Sequence, residues 1–177
     1  MYSPRDLLIL NVGFITHQTV GYSRDFPLEA PYLRLQPDLE LYEFSGLVRI
    51  TRTAQGLLLQ ANLRALVQVD CARCLKEFQQ QIDTNFTELY AFTRASITDS
   101  GLLVPDTGKI NLEPIVRDEM LLAVPIGSLC KPDCKGLCPI CGEDLNEVTC
   151  SHETETVDPR LDVLKALLEN NHDKDKE

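Results

Sequence analysis

The segment "CKPDCKGLCPICGEDLNEVTCSH", residues 130 to 152, carries five cysteines and a histidine, and "VDCARCLKEF" upstream adds two more cysteines. Zinc takes thiolate sulfur and imidazole nitrogen as tetrahedral donors, and structural sites draw them in close pairs. The pairs here are Cys71 with Cys74, Cys130 with Cys134, Cys138 with Cys141, and Cys150 with His152. Seven cysteines and one of the three histidines make eight donors, the complement of two closed sites. In "CPICG" a knuckle turns its amides toward the first thiolate, and Gly142 allows the left-handed conformation by which the chain leaves that turn.

Two groupings of the pairs are open. In one, Cys138, Cys141, Cys150 and His152 form a small ribbon-like site, and Cys71, Cys74, Cys130 and Cys134 form a long-range one. In the other, Cys130, Cys134, Cys138 and Cys141 form a local site. The first is preferred, because it orphans no pair and would tie the upstream cysteines to the chain after the first helix. The expected cofactor is zinc, one or two ions. A solvent-facing His152, with water or nothing in its place, is the competing reading of that residue. A redox pair at Cys71 and Cys74 competes for the upstream motif, but no βαβ pattern surrounds it and six other donors accompany it. His17 and His172 are given no role.

The chain has no GxxxxGK[ST], GxGxxG, HExxH or GxSxG motif. No pair of acidic residues is marked by position as acid and base. A four-thiolate zinc has no open position for water or substrate. These observations lead to the expectation of a structural or binding role without catalysis, a catalytic residue or a small-molecule substrate.

Elements must bring these donors together. Three segments alternate with period two, the mark of half-buried strands. Tyr42, Phe44, Val48 and Ile50 share a face in "LYEFSGLVRITR". Leu57, Leu59, Ala61, Leu63, Ala65, Val67 and Val69 share one in "GLLLQANLRALVQVD", and Phe78, Ile82, Phe86, Tyr90 and Phe92 share one in the third. The short links "TAQG" and "CARCLK" predict an antiparallel meander with Cys71 and Cys74 at a hairpin tip. "SPRDLLIL" reads as a short helical turn or a strand, and the prolines of "LEAPYLRLQPD" make it irregular or edge structure. Asn111 and Pro114 open a helix whose stripe is Leu112, Ile115, Val116, Met120 and Ala123. Asp158 and Pro159 open a second, with Leu161, Leu164, Leu167 and Leu168.

The predicted fold is α+β: an antiparallel β-meander sheet with two main helices and a C-terminal Cys-rich zinc-binding segment. Residues 1–128 form the sheet-plus-helix domain, 129–157 the zinc-ribbon-like segment, 158–170 a helix packing on the domain, and 171–177 a disordered tail.

The net charge is −10, and residues 81 to 177 carry all of it, with nine basic and nineteen acidic groups. Residues 1 to 80 balance eight of each, and could present Arg49, Arg52, Arg64, Arg73 and Lys76 to RNA. Solvated strand-face charges are the plainer account of those five. The acidic half suits a basic protein partner. No apolar run approaches the roughly 20 residues of a spanning helix. The N-terminus lacks a basic region and a cleavage site, so a cytoplasmic location with reduced thiols is expected, without membrane partners.

At "VQVDCARCLKEF", "NLEPIVRDEMLLAVPIGSLC", "CKGLCPICGEDLN" and "DPRLDVLKALL" the chain resembles the bacterial YceD family, the large ribosomal RNA subunit accumulation proteins. The resemblance runs from about residue 20 to residue 170. The family usually ends its cysteine cluster with a CxC pair. Here the residues are "CSH", so His152 stands where a thiolate is expected and a ligand is kept. The resemblance implies a part in the synthesis, processing or accumulation of large-subunit ribosomal RNA, with that RNA or a ribosomal or processing protein as partner. A thiol redox protein and a protein-only binding scaffold are the alternatives.

Overall fold

A computed structural model of the protein describes residues 4 to 152. The helix expected over 158–170 and the tail over 171–177 lie outside the described residues. The chain divides into two compact units, Met1–Cys130 and Lys131–Glu177.

The first unit opens with α1 (Pro4–Leu7), β1 (Ile9–Asn11) and α2 (Gly13–Thr16). "SPRDLLIL" is therefore helix and strand in succession. Four long strands follow: β2 (Ser23–Leu35), β3 (Leu39–Arg52), β4 (Gly56–Asp70) and β5 (Glu77–Ala91), hydrogen-bonded antiparallel in that order. They form the predicted meander. Then come β6 (Lys109–Asn111), which pairs antiparallel with β1, and α3 (Glu113–Ala123).

In β4 every second residue from Leu57 to Val67 is buried, and Gln60, Asn62, Arg64 and Gln68 face outward, as the alternation requires. In β3 the expected face is only partly right. The register with β4 shifts between Tyr42 and Ser45, and Glu43 takes φ 50. A bulge of this kind adds one residue to one strand and reverses the parity beyond it. Leu39 and Leu41 are thus buried before the bulge, and Phe44, Val48 and Ile50 after it. Tyr42 is turned to the outer face, where its ring lies 5.4 Å from that of Tyr32.

The segment carrying Pro27 and Pro31 is an edge strand, the position in which a missing N–H costs least. Pro31 has no partner in the β2–β3 register, which skips from Ala30↔Phe44 to Tyr32↔Tyr42.

α3 is stitched in as expected. The Asn111 side-chain oxygen accepts the Glu113 N–H at 3.0 Å, and Pro114 occupies the first turn, where no N–H is missed. Leu112, Val116 and Met120 are fully buried against the inner face of the sheet. Burial of such side chains contributes roughly 1.5–3 kcal/mol each. No described helix is long and apolar enough to cross a membrane.

The second unit, over its described part, has little regular structure. An isolated bridge joins Leu137 and Asp144, and turns at Gly136 (φ 80) and Gly142 (φ 75) reverse the chain.

Candidate metal centres

The β4–β5 connection is a six-residue tip closed by two backbone bonds, Cys71 N–H to Lys76 C=O at 3.0 Å and Leu75 N–H to Cys71 C=O at 2.9 Å. The "CPICGE" turn repeats this pattern. Its bonds are Cys138 N–H to Glu143 C=O at 2.8 Å and Gly142 N–H to Cys138 C=O at 2.9 Å. Leu75 and Gly142 hold equivalent places one residue past the second cysteine, and both are left-handed, with φ 57 and φ 75. The two CxxC motifs are thus one kind of knuckle, although "CARCLK" has leucine where "CPICGE" has glycine.

Such a knuckle aims amides at its first sulfur. The backbone N–H groups of Cys130 and Cys74, helped by that of Arg73, outweigh burial and bring the Cys71 thiol down to about 6. Those of Cys141 and Ile140 do the same for Cys138, also to about 6. Cys150 moves the other way: its hydrogen bond with Cys138, and then burial, push it up. The first sulfur of each knuckle is therefore thiolate near neutrality, the form that binds metal.

Two sets of four donors gather. Cys71, Cys74, Cys130 and Cys134 form one, and Cys138, Cys141, Cys150 and His152 the other, with the ligand atoms of each set within 4.8 Å of one another. This is the grouping that orphans no pair. No cysteine is in a disulfide. The Sγ atoms of Cys74 and Cys130 are 3.7 Å apart, and Cys138 Sγ is 3.7 Å from His152 Nδ1. Zn–S bonds of about 2.3 Å in a tetrahedron give S···S edges near 3.8 Å, so these two spacings are compatible with ligands about one ion in each set. The donor chemistry, four sulfurs in one set and three sulfurs with a nitrogen in the other, fits zinc.

Around the first set, Ala72 N–H bonds Ser128 C=O at 2.8 Å, holding the tip against the chain that leads to Cys130. Asn146 supports Cys134. Its side-chain amide donates to that sulfur at 3.5 Å and to Asp144 at 2.6 Å, and its oxygen accepts the Lys135 N–H at 3.0 Å. Asn146 was not singled out from the sequence, because an asparagine between cysteines carries no spacing signature.

The five basic residues do not share a face. Arg49 and Arg64 are on the outer face of the sheet, and each is held by a carboxylate. Arg49 donates to both oxygens of Asp25 at 2.7 and 2.8 Å, and Arg64 to Asp83 at 2.6 Å. These bonds hold both carboxyl groups below the usual carboxylate range. Arg52 lies on the opposite face, bonded to Thr16 C=O at 3.0 Å and 5.5 Å from the Phe92 ring centre. Arg73 and Lys76 are exposed at the hairpin tip.

A family model described as large ribosomal RNA subunit accumulation protein YceD matches residues 59–168, which span both donor sets. The uncharacterized protein Rv2926c of Mycobacterium tuberculosis is 32% identical over 127 residues, 68% of this chain and 60% of the relative. Protein Mb2951c of Mycobacterium bovis matches to the same extent. YlbN of Bacillus subtilis is 30% identical over 100 residues, 55% of this chain and 58% of the relative. The match thus spans about three fifths of the length of these curated relatives. No solved structure matches the chain.

Proposed function

The chain belongs to the YceD family of large ribosomal RNA subunit accumulation proteins, and on that premise we propose that it is a non-catalytic, zinc-stapled factor in ribosome biogenesis. It supports the synthesis, processing or accumulation of large-subunit ribosomal RNA, and works in the cytoplasm. Its partners are that RNA or a ribosomal or processing protein bound to it.

The gathering of eight donors into two complete sets within the matched region carries this reading. Four protein ligands close a zinc ion to water and substrate, so the metal's contribution is to structure. Apparent binding free energies of structural zinc are on the order of 10 kcal/mol, comparable with the whole stability of a domain. An ion shared by Cys71, Cys74 and Cys130 pins the β4–β5 tip to the end of the first unit. The burial of Cys71 and Cys74, 0% and 7% exposed, favours this role over thiol exchange, which needs a sulfur that a partner can reach.

Crosslinking in cells followed by RNA sequencing tests the reading. Enrichment of large-subunit ribosomal RNA over a control protein is expected, and its loss in Cys71→Ser would tie binding to the metal. Recovery of ribosomal or processing proteins without RNA would mark a protein-only scaffold. Metal analysis with thiol titration separates the redox alternative: stoichiometric zinc protecting Cys71 and Cys74 excludes cycling, and a metal-free dithiol that oxidises reversibly establishes it.

A further inference from the structure

The two donor sets differ in access to solvent. In the first, Cys71, Cys74 and Cys134 are buried at 0%, 7% and 1% exposure, and Cys130 is half-buried. In the second only Cys138 is buried; Cys150 is half-buried, and Cys141 and His152 are exposed. The surroundings differ as well. Cys71 sits between two long paired strands that hold a continuous apolar core. Around the second set the apolar side chains are half-buried or exposed, with Ile140 at 58% and Val148 at 48%. The local structure there is a few turn hydrogen bonds and one isolated bridge. Among the described residues this segment has no packed core, and such a segment draws its order from its metal.

From this contrast we propose that the second set is an exchangeable, oxidant-sensitive metal site, and that Cys141 is the sulfur through which it opens. The inference rests on the zinc reading above. The oxidant is a two-electron peroxide. The exposed Cys141 sulfur attacks one peroxide oxygen and the O–O bond breaks, giving a sulfenic acid and water. Cys150, whose sulfur is within 4.8 Å, then displaces the sulfenic oxygen as a second water and closes a disulfide. In sum, two thiolates lose two electrons, hydrogen peroxide gains them with two protons, and the ion departs. Cys138 and His152 alone make too few ligands to hold it. The turn over 138–152 then loosens, while the sheet stays intact and the first set keeps its four donors.

The test uses the full-length, metal-loaded protein, with zinc content measured before any oxidant is added. Hydrogen peroxide is titrated in against a chromogenic zinc indicator, and the thiols are mapped by alkylation and mass spectrometry. About one of two equivalents is expected to leave first, with Cys141 and Cys150 oxidised and Cys71, Cys74 and Cys134 unmodified. Cys141→Ser should leave the sheet folded, with about one equivalent fewer and no early peroxide-released phase. Release of both ions together, or oxidation of Cys71 or Cys74 first, overturns the inference and leaves the zinc reading standing. Protein that holds no zinc at the outset overturns both.

Discussion

The sulfur atoms of Cys74 and Cys130 lie 3.7 Å apart although 56 positions separate them in the chain. Strand pairing and a helix bring them there. The β4–β5 register ends at Asp70↔Glu77 with the knuckle at its tip, and α3 leads the chain back toward that tip. Replacing Cys130 by serine removes one donor from the first set and none from the second. Elemental analysis of protein purified without added zinc should give about two equivalents for the parent and about one for Cys130→Ser. Two equivalents in the variant would show that Cys130 is not a ligand.

Asn146 offers a subtler test, since it touches the Cys134 sulfur without being a donor to metal. Partners of ligating atoms typically govern metal affinity 10–100-fold. Asn146→Ala should weaken the tighter site by about that factor in chelator competition, with the full metal stoichiometry kept at saturating zinc.

The bulge at Glu43 makes a prediction about adjacent aromatics. Phe44 is fully buried after the bulge, so Phe44→Ala should destabilise the protein by about 3–5 kcal/mol in urea unfolding. Tyr42 faces outward against Tyr32, and Tyr42→Ala should cost on the order of 1 kcal/mol. Equal costs would mean that both rings are core, contrary to the bulge.

Acidity should act on the second set in two stages. Cys150 is pushed above its ordinary value, so at neutral pH it carries a proton that the metal must displace, and affinity falls with falling pH there. Cys138 is held at about 6, so it is already ionised at neutrality and takes up its proton only as pH falls through that value. Below about 6 one more proton competes, and the plot of log affinity against pH steepens by roughly one unit. Competition with an indicator across that range measures the slope. A constant slope would mean that the knuckle amides do not activate Cys138.

Much of this was legible in residue types. β4 alternates without interruption for its whole length, so its inner face could be written down at once. The donor pairs were equally plain, since CxxC spacing is a local property. Tyr42 was misassigned because a bulge is a backbone event: nothing in "LYEFSG" reveals that Glu43 takes a positive φ and that Leu41 faces the core in place of Tyr42. β6 escaped for another reason. It has three residues, too few for a period, and it pairs only with β1, itself one of two readings of "SPRDLLIL". The basic residues show what composition leaves out. Arg49 and Arg64 have carboxylates across the strand from them, which a charge count does not register.

The pairing of Ile9–Asn11 with Lys109–Asn111 bears on how the protein comes off the ribosome. Each strand of the meander meets its neighbour soon after emerging, whereas β1 waits for a partner about a hundred residues behind it. Until Ile110 leaves the exit tunnel, Leu10 and Val12, both buried in the finished fold, lack the cover that β6 supplies. The residues of β1 are thus among the last of the first unit to settle, and a nascent chain stalled before β6 would display them to chaperones.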